Sequence, residues 1–155
     1  MKPSIAVSDA SRKAVAKILD ILLADEYVLY TKTRNYHWNV TGPRFNDLHK
    51  FFEAQYEQID GIVDEVAERA RALGERALGG LSDFLKNAGL KDEAGKPRAD
   101  AMLGNLLKDH EAIIRGLRKS LETCAALGDM GTNDFLTGLM ERHEKMAWML
   151  RAFAQ

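Results

Sequence analysis

The stretch FNDLHKFFEAQYEQIDGIVDEVAERARA, residues 45–72, decides the fold. Phe45, Leu48, Phe52, Tyr56, Ile59, Val63 and Val66 recur in it at spacings of three and four, which is one continuous stripe along a helix. The stripe predicts a helix that ends near Leu73-Gly74. Just upstream, Asn39 to Pro43 holds Gly42-Pro43, a pair that breaks one helix and opens the next, because proline suits the first helical turn. Before that break, a helix begins after Ser8, whose side chain is a cap, with Asp9 in the first turn. It carries Val15, Ile18, Leu19, Leu22 and Leu29 and runs to about Trp38. Downstream, residues 74–97 turn to Gly, Asp and Lys, with one short helical candidate at Leu81 to Ala88. A third long helix follows, with Leu103, Leu106, His110, Ile113, Leu117 and Leu121 on one face. After the short turn Gly128-Asp129-Met130-Gly131, a fourth runs from about Thr132 to Phe153 with Leu136, Leu139, His143, Met146 and Leu150 inward.

Two short connections and one long one describe an all-α four-helix bundle with a crossover between its second and third helices, the connectivity of the ferritin-like fold. One domain over residues 1–155 is expected, with 1–8 as a short N-terminal tail and 74–97 as the crossover carrying the short helix. The 3 prolines and 12 glycines leave room for such long helices. No window alternates apolar with polar residues long enough for a β-sandwich or barrel. Lys plus Arg total 22 against 23 Asp plus Glu, a balance that counts against a dedicated nucleic-acid binder. The single cysteine, Cys124, excludes an intramolecular disulfide framework and fits a reducing compartment. The start lacks an apolar signal core, and the strongest apolar run, Ile18 to Ala24, is broken by Asp20 and far too short to span a membrane. A cytoplasmic location and no membrane partner are expected.

A bundle that holds two metals inside one chain uses Glu-x-x-His pairs. That pattern is absent: the residues three before His37, His49, His110 and His143 are Arg34, Asn46, Leu107 and Met140. The second helix offers other ligands. His49 and Glu53 stand one turn apart, as do Asp64 and Glu68, so each pair shares a face. Imidazole with carboxylate suits first-row ions such as Fe(II). The pairs cannot meet within one chain, because the 15 residues from His49 to Asp64 span about 22 Å of helix. Two antiparallel copies of this helix about a two-fold axis would bring the His end of one to the carboxylate end of the other, creating two equivalent sites. His37, near the end of the first helix, would join His49. The spacing permits this arrangement without demanding it.

Asn35-Tyr36-His37-Trp38-Asn39-Val40-Thr41-Gly42-Pro43-Arg44-Phe45, followed by Leu48-His49, resembles the signature of the Dps family, the DNA-binding proteins from starved cells or mini-ferritins. Asp60 through Asp64-Glu65-Val66-Ala67-Glu68-Arg69 resembles the family's second signature. The likeness extends to Ala147-Trp148-Met149-Leu150-Arg151 and so covers nearly the whole chain. It implies a dodecameric hollow shell with ferroxidase centres at its two-fold interfaces. There His37 and His49 of one subunit would pair with Asp64 and Glu68 of its neighbour. Glu53 matches a position where the family often has an acidic group, usually aspartate, and Trp38 lies beside the site in the family. The implied activity is Fe(II) oxidation, preferentially by hydrogen peroxide rather than oxygen, with Fe(III) stored as mineral in the cavity and no organic cofactor. The resemblance also matches Asp129 and Asp134 to aspartates that line a three-fold entry pore, where a ring of carboxylates concentrates cations.

Each residue has a plainer alternative. His49, Glu53, Asp64 and Glu68 also describe a solvated polar face, and Asp129 and Asp134 are residue types common in turns and first helical turns. His110 and His143 fall on apolar stripes and are expected to be core residues outside the site. Trp148, Met140, Met146 and Met149 are expected in core or interface packing. Cys124 is expected to act as a small apolar residue. The rival function is a structural shell that compacts DNA, which would add nucleoid association. Against it, only Lys2 precedes the first helix as a mobile cation, Arg12, Lys13 and Lys17 lie within that helix, and nothing basic extends beyond Gln155.

Overall fold

The computed structural model describes residues 3–154, so the expectations placed on Lys2 and Gln155 lie outside the described residues. Five helices and no strand appear among the described residues: α1 Asp9–Asn39, α2 Phe45–Ala72, α3 Leu81–Asn87, α4 Ala99–Ala126 and α5 Met130–Phe153. α1 packs against α2 and α4 against α5 as two helical hairpins, and contacts of α1 with α4 and of α2 with α5 close the bundle. The long connection between α2 and α4 carries α3 across the outside of α1. This is the expected bundle with its crossover.

The helix ends follow local chemistry. Ser8 caps α1, its Oγ accepting from the Ser11 amide at 3.0 Å. α2 closes on Gly74, which has φ +85°, with Gly74 N–H donating to Arg71 and Glu75 N–H to Ala70. α4 closes in the same way on Gly128 at φ +78°, with the Gly128 amide on Ala125 and the Asp129 amide on Cys124. These are Schellman closures, which need a residue in the left-handed region that glycine enters without penalty. Asp129 then caps α5, so that helix starts at Met130, two residues before the expected Thr132. The turn between α4 and α5 is therefore a C-cap and an N-cap placed end to end.

The predicted stripes meet in the middle. Leu19, Leu29, Leu48, Phe52, Ile59, Val66, Leu103, Leu106, Leu136 and Leu150 are all fully buried. Each contributes about 1.5–3 kcal/mol relative to an exposed side chain. Phe84 is the buried residue of α3, and its ring stacks on Tyr27 of α1 at 4.4 Å. Tyr36 donates to the Glu93 carboxylate, and Asn105 of α4 donates to the Tyr36 oxygen at 3.0 Å, which ties the far end of the crossover to the bundle. Of the two expectations for Trp148, core or interface packing, the single chain excludes the core: it is 60% exposed, because it sits next to the inward positions Ala147 and Met146 rather than on their face. No helix among the described residues is long and apolar enough to cross a membrane.

Candidate metal centre

The five residues between α1 and α2 fold the end of one helix against the start of the next, and this brings His37 and His49 face to face. Their rings stack with centroids 3.8 Å apart at an angle of 20°. His37 Nδ1 lies 2.8 Å from the His49 backbone oxygen, and His49 Nδ1 lies 2.8 Å from the His37 backbone oxygen. A carbonyl only accepts, so both Nδ1 atoms carry the proton. In the neutral rings the lone pairs are then on the two Nε2 atoms, the arrangement that presents imidazole to a metal. The pairing has a local cause. His37 lies in the last turn of α1, where carbonyls lack intrahelical donors, and the His49 ring supplies one.

Aromatic residues surround the pair. Phe45 stacks on His49 at 5.2 Å, and Tyr56 meets His37 edge-on at 5.3 Å. The Arg34 guanidinium lies 5.1 Å from the Tyr56 ring and 5.2 Å from Trp38, while its Nη1 donates to the Tyr30 hydroxyl. Trp38 itself is 63% exposed on the outer side of this group. Glu53, one turn beyond His49 on α2, is half-buried. Asp64 and Glu68 share the far part of α2 and are exposed, about 22 Å and about 28 Å along the helix from His49. Among the described residues no three His, Cys, Asp or Glu side chains converge on a point where one ion could bind. One chain therefore brings His37 and His49 together, keeps Glu53 near them, and leaves Asp64 and Glu68 apart.

Asp129 and Asp134 have different settings. Asp129 is 2% exposed and its carboxylate is engaged within the chain. It accepts from the Thr132 amide at 2.9 Å, from Thr132 Oγ1 at 2.6 Å and from Arg69 Nη2 at 3.0 Å. Asp129 is the N-cap of α5, and in the single chain its carboxylate is turned away from solvent. Asp134 is exposed, one turn further along α5.

One polar group was not foreseen. Glu26 of α1, His143 of α5 and His110 of α4 are all fully buried and run in a chain. His143 Nε2 lies 2.8 Å from Glu26 Oε1, within ion-pair distance though off the line of a directed hydrogen bond. On the other side of the ring, His143 Nδ1 lies 2.9 Å from His110 Nδ1. The two histidines are core residues, as expected, but they have a carboxylate partner from the first helix. The visible signal was Glu26 itself, a charge in line with Leu19, Leu22, Leu23 and Leu29 on an apolar face.

The chain matches the family model for a ferritin-like domain over residues 16–155. It is 37% identical over 141 residues to DNA protection during starvation protein 2 of Bacillus anthracis, covering 91% of this chain and 97% of that protein. It is 46% identical over 154 residues to a low temperature-induced protein of Nostoc sp., covering 98% of this chain and 86% of that one. Among solved structures, Dps from Thermosynechococcus elongatus superposes with a TM-score of 0.91 at 32% identity, covering 94% of this chain and 93% of that one. Dps from Vibrio cholerae O1 superposes at 0.94 with 30% identity, covering 99% and 97%, and is described as a member of a broad superfamily of ferritin-like diiron-carboxylate proteins. With the bundle, its crossover and the paired histidines between α1 and α2, these likenesses place the chain in the Dps family of ferritin-like proteins.

Proposed function

We propose that this protein is a ferroxidase and iron store that completes its oxidation site only when two copies pair. The observation that carries this is the reciprocal histidine clamp, which leaves two imidazole lone pairs on Nε2 atoms while no third ligating side chain among the described residues converges with them. Asp64 and Glu68, exposed further along α2, are the carboxylates a second, antiparallel copy would bring to the histidines. Iron is the substrate here. Two Fe(II) ions give one electron each to one hydrogen peroxide, whose O–O bond breaks, and hydrolysis of the Fe(III) releases protons as ferric oxyhydroxide forms. The donor set suits this traffic, since imidazole holds Fe(II) and carboxylates favour the harder Fe(III). A closed dodecameric shell, proposed from the family, would keep the mineral inside. Removing Fe(II) and peroxide together would protect DNA without contact with it.

The test adds Fe(II) anaerobically to the apo-protein, then injects hydrogen peroxide and follows ferric absorbance. The parent is compared with an Asp64→Ala/Glu68→Ala variant, after sizing shows that both form the same assembly. Fast oxidation in the parent and its collapse in an intact variant is the expected result. Equal rates in both would overturn the assignment, and a repeat with oxygen in place of peroxide ranks the two oxidants.

A further inference from the structure

We infer that the Glu26–His143–His110 chain is an acid-sensitive latch: with one shared proton it ties α1, α5 and α4 together, and uptake of a second proton breaks the His110–His143 contact that joins α4 to α5. The geometry sets the proton count. The 2.9 Å contact between His143 Nδ1 and His110 Nδ1 needs one donor and one acceptor, so only one of these nitrogens carries a proton. At the other end of the His143 ring, Nε2 lies 2.8 Å from a Glu26 carboxylate oxygen. If both rings became cations, the nitrogens in contact would both be donors. Two positive charges would then lie in contact within a core that water does not reach.

The surroundings offer no relief. The charged or titratable side chains near this layer include Asp25, Glu26 and Lys32 from α1, Asp109 and His110 from α4, and His143 from α5, while α2 contributes the neutral Gln55. Lys32 and Asp109 already pair with each other at 2.6 Å. Gln55 donates to the Met146 carbonyl at 3.3 Å, and its Oε1 is unpartnered. His110 Nε2 and both Glu26 oxygens also lack a directed hydrogen bond. A buried polar layer with this few partners is sensitive to any change of charge.

Burial, and then the neighbouring His143, hold His110 well below its ordinary 6.5. The unfolded chain therefore binds a proton at His110 below that pH that the closed bundle refuses. Stability from this group is present above 6.5 and is lost as pH falls through 6.5 toward the lower folded value, by up to about tenfold in the folding constant per pH unit and chain. Asp20, Asp25 and Asp109 are raised, by burial first, and so work in the opposite direction. Each acts between its unfolded-state value of 3.8 and its raised folded value, and each is shared by parent and variant, so it cancels from the comparison below.

The test compares the full-length protein with His110→Asn, which keeps a neutral polar group near the Nδ1 position but cannot take up the proton. Thermal unfolding is followed at pH 7.5 and 5.5. The parent should lose about tenfold in folding constant, or about 3–5 °C in Tm, that the variant keeps. Amide exchange at pH 5.5, corrected for its intrinsic rate, should rise in α4 and α5 of the parent above that in α2. Equal Tm losses in parent and folded variant, or a uniform rise in exchange, would overturn the latch. If His110→Asn does not fold, deuterium exchange at the histidine ring C2 in the wild-type assembly decides. No inflection above pH 5.5 at His110 supports the latch, and an inflection near 6.5 in the folded state refutes it.

Discussion

Replacing Asp129 separates its two candidate roles. Its carboxylate caps α5 by accepting from the Thr132 amide, accepts from the Thr132 hydroxyl, and faces the Arg69 guanidinium, all at 3.0 Å or less. Asp129→Ala removes an N-cap, which costs about 1 kcal/mol. It also leaves the Thr132 hydroxyl and one arm of Arg69 without their acceptor in a nearly closed environment, which adds about 1–2 kcal/mol. Arg69 keeps its bond from Nε to Thr132 Oγ1, so the loss of the ion pair is partial. The sum is about 2–3 kcal/mol, or about 5–10 °C in Tm for a chain of this size. Asp129→Asn keeps a competent cap and should lose less than half of that. Differential scanning calorimetry at pH 7.5 reads the stability, and stopped-flow absorbance after Fe(II) addition reads the initial uptake. The expected result is a ranking Ala below Asn below parent in Tm, with uptake unchanged in Asp129→Asn. A stable Asp129→Asn variant with strongly slowed uptake would show that the carboxylate acts on the ion, and would refute the purely structural role.

The pairing model predicts complementation. His49→Ala and Asp64→Ala preparations, each inactive alone, should recover about a quarter of the parental sites when unfolded, mixed in equal amounts and reassembled, because half the random pairs are mixed and each mixed pair rebuilds one of its two sites. No recovery in properly sized assemblies would mean that the ligands do not cross between copies. Phe84→Ala should destabilise by about 3 kcal/mol and expose the crossover, since Phe84 is the buried anchor of α3. Limited proteolysis within residues 74–97 measures it, and an unchanged cleavage rate would show that α3 is held by something else. Cys124 is fully buried and its thiol is pushed up to about 11 by burial and then by Asp129, so a maleimide at pH 8 should label it only as the protein unfolds. Rapid labelling of the native protein would show that the end of α4 opens.

Periodicity carried most of the fold because each long helix buries one side. The run from Phe45 to Val66 needs no tertiary knowledge to be read as a stripe, and Gly42-Pro43 and Gly128 mark the turns through backbone geometry alone. Spacing also paired His49 with Glu53 and Asp64 with Glu68, because neighbours on a helix are local in sequence. What connects separate helices was not legible in this way. The reciprocal bonds between His37 and His49 depend on how tightly the turn from Asn39 to Arg44 folds back. The Glu26–His143 contact joins residues that share no local pattern, so His110 and His143 read as plain core positions. Asp129 belongs to a turn in both views, and only the approach of Arg69 from α2 shows how fully its carboxylate is used. The start of α5 moved for the same reason, because a cap is a side-chain bond and not a composition.

The histidine clamp has an energetic consequence. Each ring is oriented by the other's main chain, so the rotamer freedom that a flexible imidazole would give up on binding is already spent when the bundle folds. The exposed carboxylates of Asp64 and Glu68 have no such restraint. The proposed two-copy centre would join one rigid half to one adaptable half and accept an ion with little reorganisation on the imidazole side. It would also let the carboxylate side follow the ion as its charge and radius change. Because the two rings share one constraint, losing either imidazole also unlocks the other, and the damage of His37→Ala and His49→Ala should overlap rather than add.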